Sequence, residues 1–387
     1  MLDTMRRIHR FVLPILSLLF PADGIYPEDV DWQRRPRLSL PIVLDGPKID
    51  GQVGNDEWLS AAQLGPLKVG RGGVADEHRR DVFIGFDNKN LYIAFQFHRP
   101  DGAVKPASPG KTGHVDSTQG GDFIEIMFAP KLEYDKGYTF WLFPNGAFGE
   151  ASLGREKNMS WNTEWQQAAR VTDFGWEGEI AIPFKTFDRE LPPLPKEEWG
   201  FDVVDNRMTP SRLLAHWSYR GKLWQKYENF GRIRFGRNIP AVRFQNAGEV
   251  EKVLSVEFDV INITYVPKKI RSELNLYKRK SGAAGGSKSY YERIEVGSNQ
   301  KGQPELTEEQ KLEYMVRSAM KSYRNLTSQK SQGVNLPSFE RRAIGFSRAA
   351  VKGEYLISYQ IWDGKKTLAQ GATTFRIQPP PAPKSEP

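Results

Sequence analysis

Cysteine is absent from all 387 residues. The chain therefore has no disulfide framework, no thiol nucleophile, no Cys-ligated zinc and no lipid-modified cysteine anchor. Histidine is scarce. The five histidines, at 9, 78, 98, 114 and 216, show no paired metal-ligand spacing such as HxxxH, which argues against zinc chemistry. Long apolar runs are missing as well. The stretch from Phe11 to Phe20 has only ten residues and is broken by Pro14. As a helix it would reach about 15 Å, half of a bilayer core, so no transmembrane span is expected. Arg6, Arg7 and Arg10 come just before it. A basic region followed by a short apolar one reads as a secretory signal over residues 1–22, with a buried or interfacial segment as the competing reading. Export is the expectation, to a periplasm, a cell surface or the medium.

The formal charge of +8 is unevenly placed. Residues 237–387 hold 25 Lys/Arg against 15 Asp/Glu, leaving 30 against 32 for residues 1–236. The basic excess is spread along the C-terminal part apart from short clusters such as Lys278-Arg279-Lys280. Solvated faces explain that spread better than a phosphate-binding groove, and no nucleic-acid partner is expected.

With 35 Gly, 26 Pro and 12% aromatic residues, the composition favours short strands joined by turns. Residues 23–41 read as a linker or an arm lying on the first domain. From Ile42 onward, strand-like segments follow at short spacing: "RDVFIGFD" (80–87), "NLYIAFQFH" (90–98), "DFIEIMFAP" (122–130), "GYTFWLFPNGAFGEASL" (137–153), "GWEGEIAIPFKTF" (175–187), "WGFDVVDNRM" (199–208), "LLAHWSY" (213–219) and "GRIRFG" (231–236). Asp87-Asn88-Lys89-Asn90 and Pro144-Asn145-Gly146 supply turns. One short helix is expected at Asp56–Ala62, opened by Asn55. The fold class predicted is all-β: an antiparallel, jelly-roll-like β-sandwich over 42–236, then an Ig-like β-sandwich over 240–378. A helix over 308–325 interrupts the second domain, with Thr307 as cap and Leu312, Met315, Val316, Ala319, Met320 and Tyr323 on one face. The Pro-rich tail 379–387 reads as a spacer or a disordered end.

Seven landmarks occur in register in the first domain: "IDGQVGNDEW" (49–58), "FDNKNLYIAF" (86–95), "DFIEIMF" (122–128), "GWEGEIAIPF" (175–184), "WGFDVVDNR" (199–207), "HWS" (216–218) and "NFGRIRF" (229–235). Together they make residues 42–236 resemble the family 9 carbohydrate-binding modules. The resemblance implies a non-catalytic sandwich that stacks a sugar ring on tryptophan, with structural calcium as the usual ion. The chemistry suits the ligand. The axial C–H face of a pyranose is apolar and matches an indole face, while equatorial hydroxyls need planar donors and acceptors. One family tryptophan precedes the Phe-Gly of the last strand, which falls on Trp224. The opposing one precedes the "D-x-x-E" strand, and there the chain has Gln119. Trp141, Trp161 and Trp165 are candidates for the missing second surface, and Asn229 and Arg207 are polar groups of the required kind. Asp50, Asp56 and Asp87 are the candidate calcium ligands, though turn capping accounts for each equally well.

Strand parity limits the acids. Asp122 and Glu125 are three apart and face opposite sides, while Glu177 and Glu179 share a face. The resemblance gives the latter pair a structural or calcium-linked role. The expected ligand is a polysaccharide or oligosaccharide. Two other readings stay open: a glycoside-active enzyme using cleft carboxylates, and a haem-binding redox module with Met127, His98, His114 or His216 as axial candidates. Met127 is expected to point inward. The charge of the C-terminal domain suits an acidic polysaccharide, an outer-membrane surface or a possible protein partner, and nothing in its pattern chooses among them.

Overall fold

Alternating apolar residues at 91–97 and 124–128 demand a buried face on each strand, and two sheets meet to provide it. The structure, a computed structural model, describes residues 36–69, 74–75, 78–107, 113–116, 120–131, 136–154, 156–209, 211–218, 230–250, 253–280, 323–349 and 351–377. Among these the regular elements are strands and two short 3₁₀ turns, Pro100–Gly102 and Phe184–Phe187. The first layer is a five-stranded antiparallel sheet in the order Gln166–Thr172, Gly175–Pro183, Asn90–His98, Arg80–Phe86, Ala62–Gln63. Facing it, the larger sheet runs Lys157–Asn158, Phe148–Leu153, Gly137–Leu142, Phe123–Ala129, Glu198–Arg207, Leu213–His216. Ile124, Ile126 and Phe128 of that sheet share one apolar core with Ile93, Phe95 and Phe97 of the first. The expected turns are in place. Asp87 N donates to Asn90 O (3.0 Å), and Phe143 N donates to Ala147 O across the Pro-Asn-Gly turn (2.8 Å).

Both faces of several strands are covered. Val43, Trp58, Ala61, Phe83, Tyr92, Ala94 and Ala181 form a second apolar cluster on the outer side of the five-stranded sheet. The helix expected at Asp56–Ala62 is absent. Successive turns replace it, with Trp58 N on Gly54 O, Leu59 N on Asp56 O and Ala61 N on Trp58 O. The segment enters a strand at Ala62, which leaves too few residues to sustain a nucleated helix.

The C-terminal strands form an antiparallel three-stranded sheet, Ala241–Val250, Val253–Ile261 and Arg341–Ala349. A second group, Lys268–Arg279, Tyr323–Leu336, Gly353–Asp363 and Lys366–Ile377, extends the larger sheet of the sandwich. The join runs through Lys68–Val69 and Val74–Ala75, which link Leu213–His216 to Lys366–Ile377, and through Arg37–Leu40, the end of the N-terminal arm. That strand lies parallel to Gly231–Phe235 and antiparallel to Lys366–Ile377. Residues 308–322 of the expected helix lie outside the described residues, and Tyr323 already begins a strand.

Candidate functional site

The outer face of the larger sheet carries a buried cluster of polar and aromatic groups. On strand Phe123–Ala129, Ile124, Ile126 and Phe128 turn inward. Phe123, Glu125 and Met127 therefore turn outward. Cross-strand register lines up Gly149, Trp141, Glu125, Val204 and His216 in one row across five strands. The adjacent row holds Ala151, Thr139, Met127 and Asp202. Gly149 is required here, because a Cβ at that position would lie 2.5 Å from Trp141 Cζ2.

Hydrogen bonds tie the rows together. Thr139 Oγ1 donates to Glu125 Oε1 at 2.9 Å. Lys157 Nζ sits 3.7 Å from the same oxygen and 4.9 Å from the Trp141 ring centroid. Asp202 Oδ1 accepts from Val203 N and Ser218 N, each at 2.9 Å, and His216 Nδ1 lies 3.7 Å from Asp202 Oδ2. Trp141 Nε1 and Ser218 Oγ are buried without a hydrogen-bond partner.

Burial pushes the Glu125 carboxyl up from its ordinary 4.5, against the opposing pull of Lys157, the Thr139 hydroxyl and His216. A folded-state value above the unfolded one means that the native protein keeps a proton the unfolded chain has released. Stability then falls as pH rises through that window. Glu125→Gln removes the step, so its urea midpoint relative to wild type is expected to climb as pH rises above 4.5. A midpoint difference that stays flat from acid to neutral pH would show that Glu125 does not titrate in this way.

The positions singled out in the sequence fall in different places. Trp224, Gln119 and Asn229 lie outside the described residues. Trp141 belongs to the outer face and is fully buried. Trp161 is half-buried and packs on Tyr138 (5.0 Å between ring centroids) and Phe140 (6.1 Å), on the inner side of strand Gly137–Leu142. Arg207 is buried, with Nε and Nη1 unpartnered, and shares the inner face of its strand with Asp205. Met127, expected to point inward, packs instead with Ala129, Leu153, Val204 and Phe230 on the outer face. Both faces of its strand are apolar, so alternation alone assigns no inside.

The acids are engaged elsewhere. Glu179 accepts from Trp58 Nε1 (2.8 Å) and from Asp50 N and Gly51 N (3.0 Å each). Trp58 thus joins the outer cluster of the five-stranded sheet. Glu177 accepts from Gln96 Nε2 (2.8 Å) and Arg170 Nε (2.7 Å). Asp50 Oδ1 caps Gln52 N. Asp87 Oδ1 caps Lys89 N and Asn90 N, and its other oxygen accepts from Tyr92 Oη. Asp56 gives its backbone carbonyl to Leu59 N. Among the described residues no three acidic or histidine side chains converge as a cation site. The Asp50, Asp56 and Asp87 trio therefore does not fit a calcium ion as a group.

No protein-family model matches the chain, and no curated protein matches it. Solved structures do. One is a family 9 carbohydrate-binding module from Caldicellulosiruptor kristjanssonii in complex with cellotriose. It is 15% identical with a TM-score of 0.40, over 52% of this chain and 94% of that one. Another is a candidate carbohydrate-binding protein from Bacteroides uniformis, 12% identical with a TM-score of 0.42, over 52% of this chain and 99% of that one. At these scores no ligand transfers from either to this chain.

Proposed function

We propose that the chain is an exported, non-catalytic carbohydrate-binding protein whose ligand lies on the outer face of the larger sheet. One observation carries this reading. The segment that bears Trp224 is rooted at both ends on that face: Ser218 N is bonded to Asp202, and Phe230 packs against Met127, Ala129 and Val204. Of the polar groups on that face, Lys157 is exposed and open to a hydroxyl, while Glu125 and Thr139 lie buried beneath it and bond to each other. The seven sequence landmarks point the same way. The acids Glu177 and Glu179 are saturated by structural donors, which leaves them no role as a hydrolytic pair and favours binding over catalysis.

Affinity electrophoresis on a panel of polysaccharides tests the proposal. Wild type is expected to be retarded by at least one glycan. Trp224→Ala should weaken that binding roughly tenfold or more, the scale of one aromatic face removed from a stacked ring. Undiminished retardation of the variant would refute the stacking role. Reducing-sugar release from the bound glycan would move the reading to an enzyme.

A further inference from the structure

Two loops of the C-terminal strands, residues 262–267 and 337–340, hold large apolar side chains out in solvent. Tyr265 is 86% exposed, Phe339 58% and Val266 51%, with Pro267 and Pro337 beside them, also exposed. The exposure is built in. Asn262 is fully buried, and its Nδ2 donates to Val266 O (3.1 Å), Leu336 O (3.1 Å) and Pro337 O (2.8 Å). Its Oδ1 accepts from Thr264 N and Oγ1. The backbones are joined by Phe339 N to Asn262 O (2.7 Å) and Asn262 N to Glu340 O (2.8 Å). One side chain therefore locks both loops into a single tip.

Phe339 has φ of 60°, a left-handed conformation that bulky residues avoid. Strain of this kind persists where the surroundings over-determine it, and it is most often kept at sites that bind. Here it holds an aromatic ring outward. The two rings meet edge to face, 4.9 Å apart at 81°, so they form a wedge and not the flat platform that a sugar ring stacks on.

The rim of the tip is basic. Arg341 and Arg342 follow the second loop and Lys269 follows the first, all exposed. Gly364 N donates to Lys269 O, which brings the exposed Lys365 and Lys366 to the same end. Glu340 is the exposed acid there. Arg341 also pairs with the buried Asp259, and Asp363 faces Lys268.

We propose that this tip is a membrane-docking wedge, with Tyr265, Val266 and Phe339 entering the interfacial layer of an anionic lipid surface. The surrounding Lys and Arg side chains contact the headgroups. Aromatic groups favour the interfacial layer, and cations near an anionic bilayer add attraction that salt screens.

Co-sedimentation of the full chain with phosphatidylcholine vesicles, with and without phosphatidylglycerol, tests this. Binding is expected only when phosphatidylglycerol is present, and it should weaken in high salt. Phe339→Gly removes the ring and suits the left-handed backbone. It should lower vesicle partitioning roughly tenfold while its melting temperature equals or exceeds wild type. Tyr265→Ser, which leaves the backbone of the second loop untouched, should show the same loss. Failure of wild type to bind the anionic vesicles would overturn the proposal, as would either variant partitioning like wild type. A loss confined to glycan or protein binding in these variants would also overturn it.

Discussion

Asp205→Ala is expected to destabilise the sandwich by about 3–5 kcal/mol, the cost of leaving a buried charge without its partner. Asp205 is fully buried, and so are the two guanidinium groups that meet it. Arg80 Nε donates to Oδ2 at 2.5 Å. Arg99 binds both oxygens, through Nη1 at 3.0 Å and Nη2 at 2.6 Å. Arg99 Nε also reaches Asp122 Oδ2 at 3.3 Å, and Asp122 Oδ1 accepts from Met208 N at 2.7 Å. Burial pushes the Asp205 carboxyl upward, but the charges of Arg99 and Arg80 outweigh it and hold the carboxyl below its ordinary 3.8. The stabilisation is thus present above 3.8 and is lost as pH falls through the folded-state value. Total stabilities run to about 5–15 kcal/mol, so the loss is a large share of the whole, as urea titration would show. A loss under about 1 kcal/mol would mean that the arginines reach water or another acid. Replacing Asp205, Arg80, Arg99 and Asp122 together by apolar residues should recover part of the loss, because removing the whole buried network leaves no stranded charge.

That network also positions the candidate site. Strand Glu198–Arg207 presents Asp205 inward and Asp202 and Val204 outward, so the ion pairs on one side fix the register of the row on the other. Little of this was legible in the sequence. The strands at 80–98 and 122–153 were, because period-two alternation and the Asp87 and Pro-Asn-Gly turns are local signals. Which face lay inward was not, since apolar residues cover both sides of Phe123–Ala129 and only the tertiary neighbours decide. Met127 is assigned to the wrong face for that reason. Arg37–Leu40 gives no warning of its role, as four residues carry no periodicity and its partners lie about two hundred and more than three hundred positions away. Within the site, the acid in "DFIEIMF" was the available signal for Glu125. Lys157 carried none, because it sits on a two-residue strand and meets Glu125 only through folding.

A fragment containing residues 36–236 alone is expected to aggregate, or to melt about 10 °C or more below the full chain. Removing Lys366–Ile377 leaves Arg37–Leu40 as an unpaired edge, with Leu38 and Leu40 in the core beneath it. Ser39 Oγ loses the Thr367 carbonyl that it bonds at 2.6 Å. Tyr359 fills a slot between Gly65 and Gly371, where a Cβ on either glycine would come within 2.3 Å and 2.6 Å of its hydroxyl oxygen. Phe244, Phe258 and Tyr359 belong to the same apolar core as Phe86 and Ile93. Arg243 is buried at the join, donates to Trp58 O and lies 5.0 Å from the Phe83 ring centroid. Burial, then the charge of Arg341, lowers its pKa to about 10, a cost that the fold sustains only while both halves are present. Cutting there opens an apolar surface and an edge strand together, the combination that recruits other chains. A soluble fragment melting at the full-chain temperature would show that the join contributes nothing. Otherwise the C-terminal strands are part of what holds Trp141 and Glu125 in place, and on the proposed function glycan binding should fall with their removal, even though none of their described residues lies on that face.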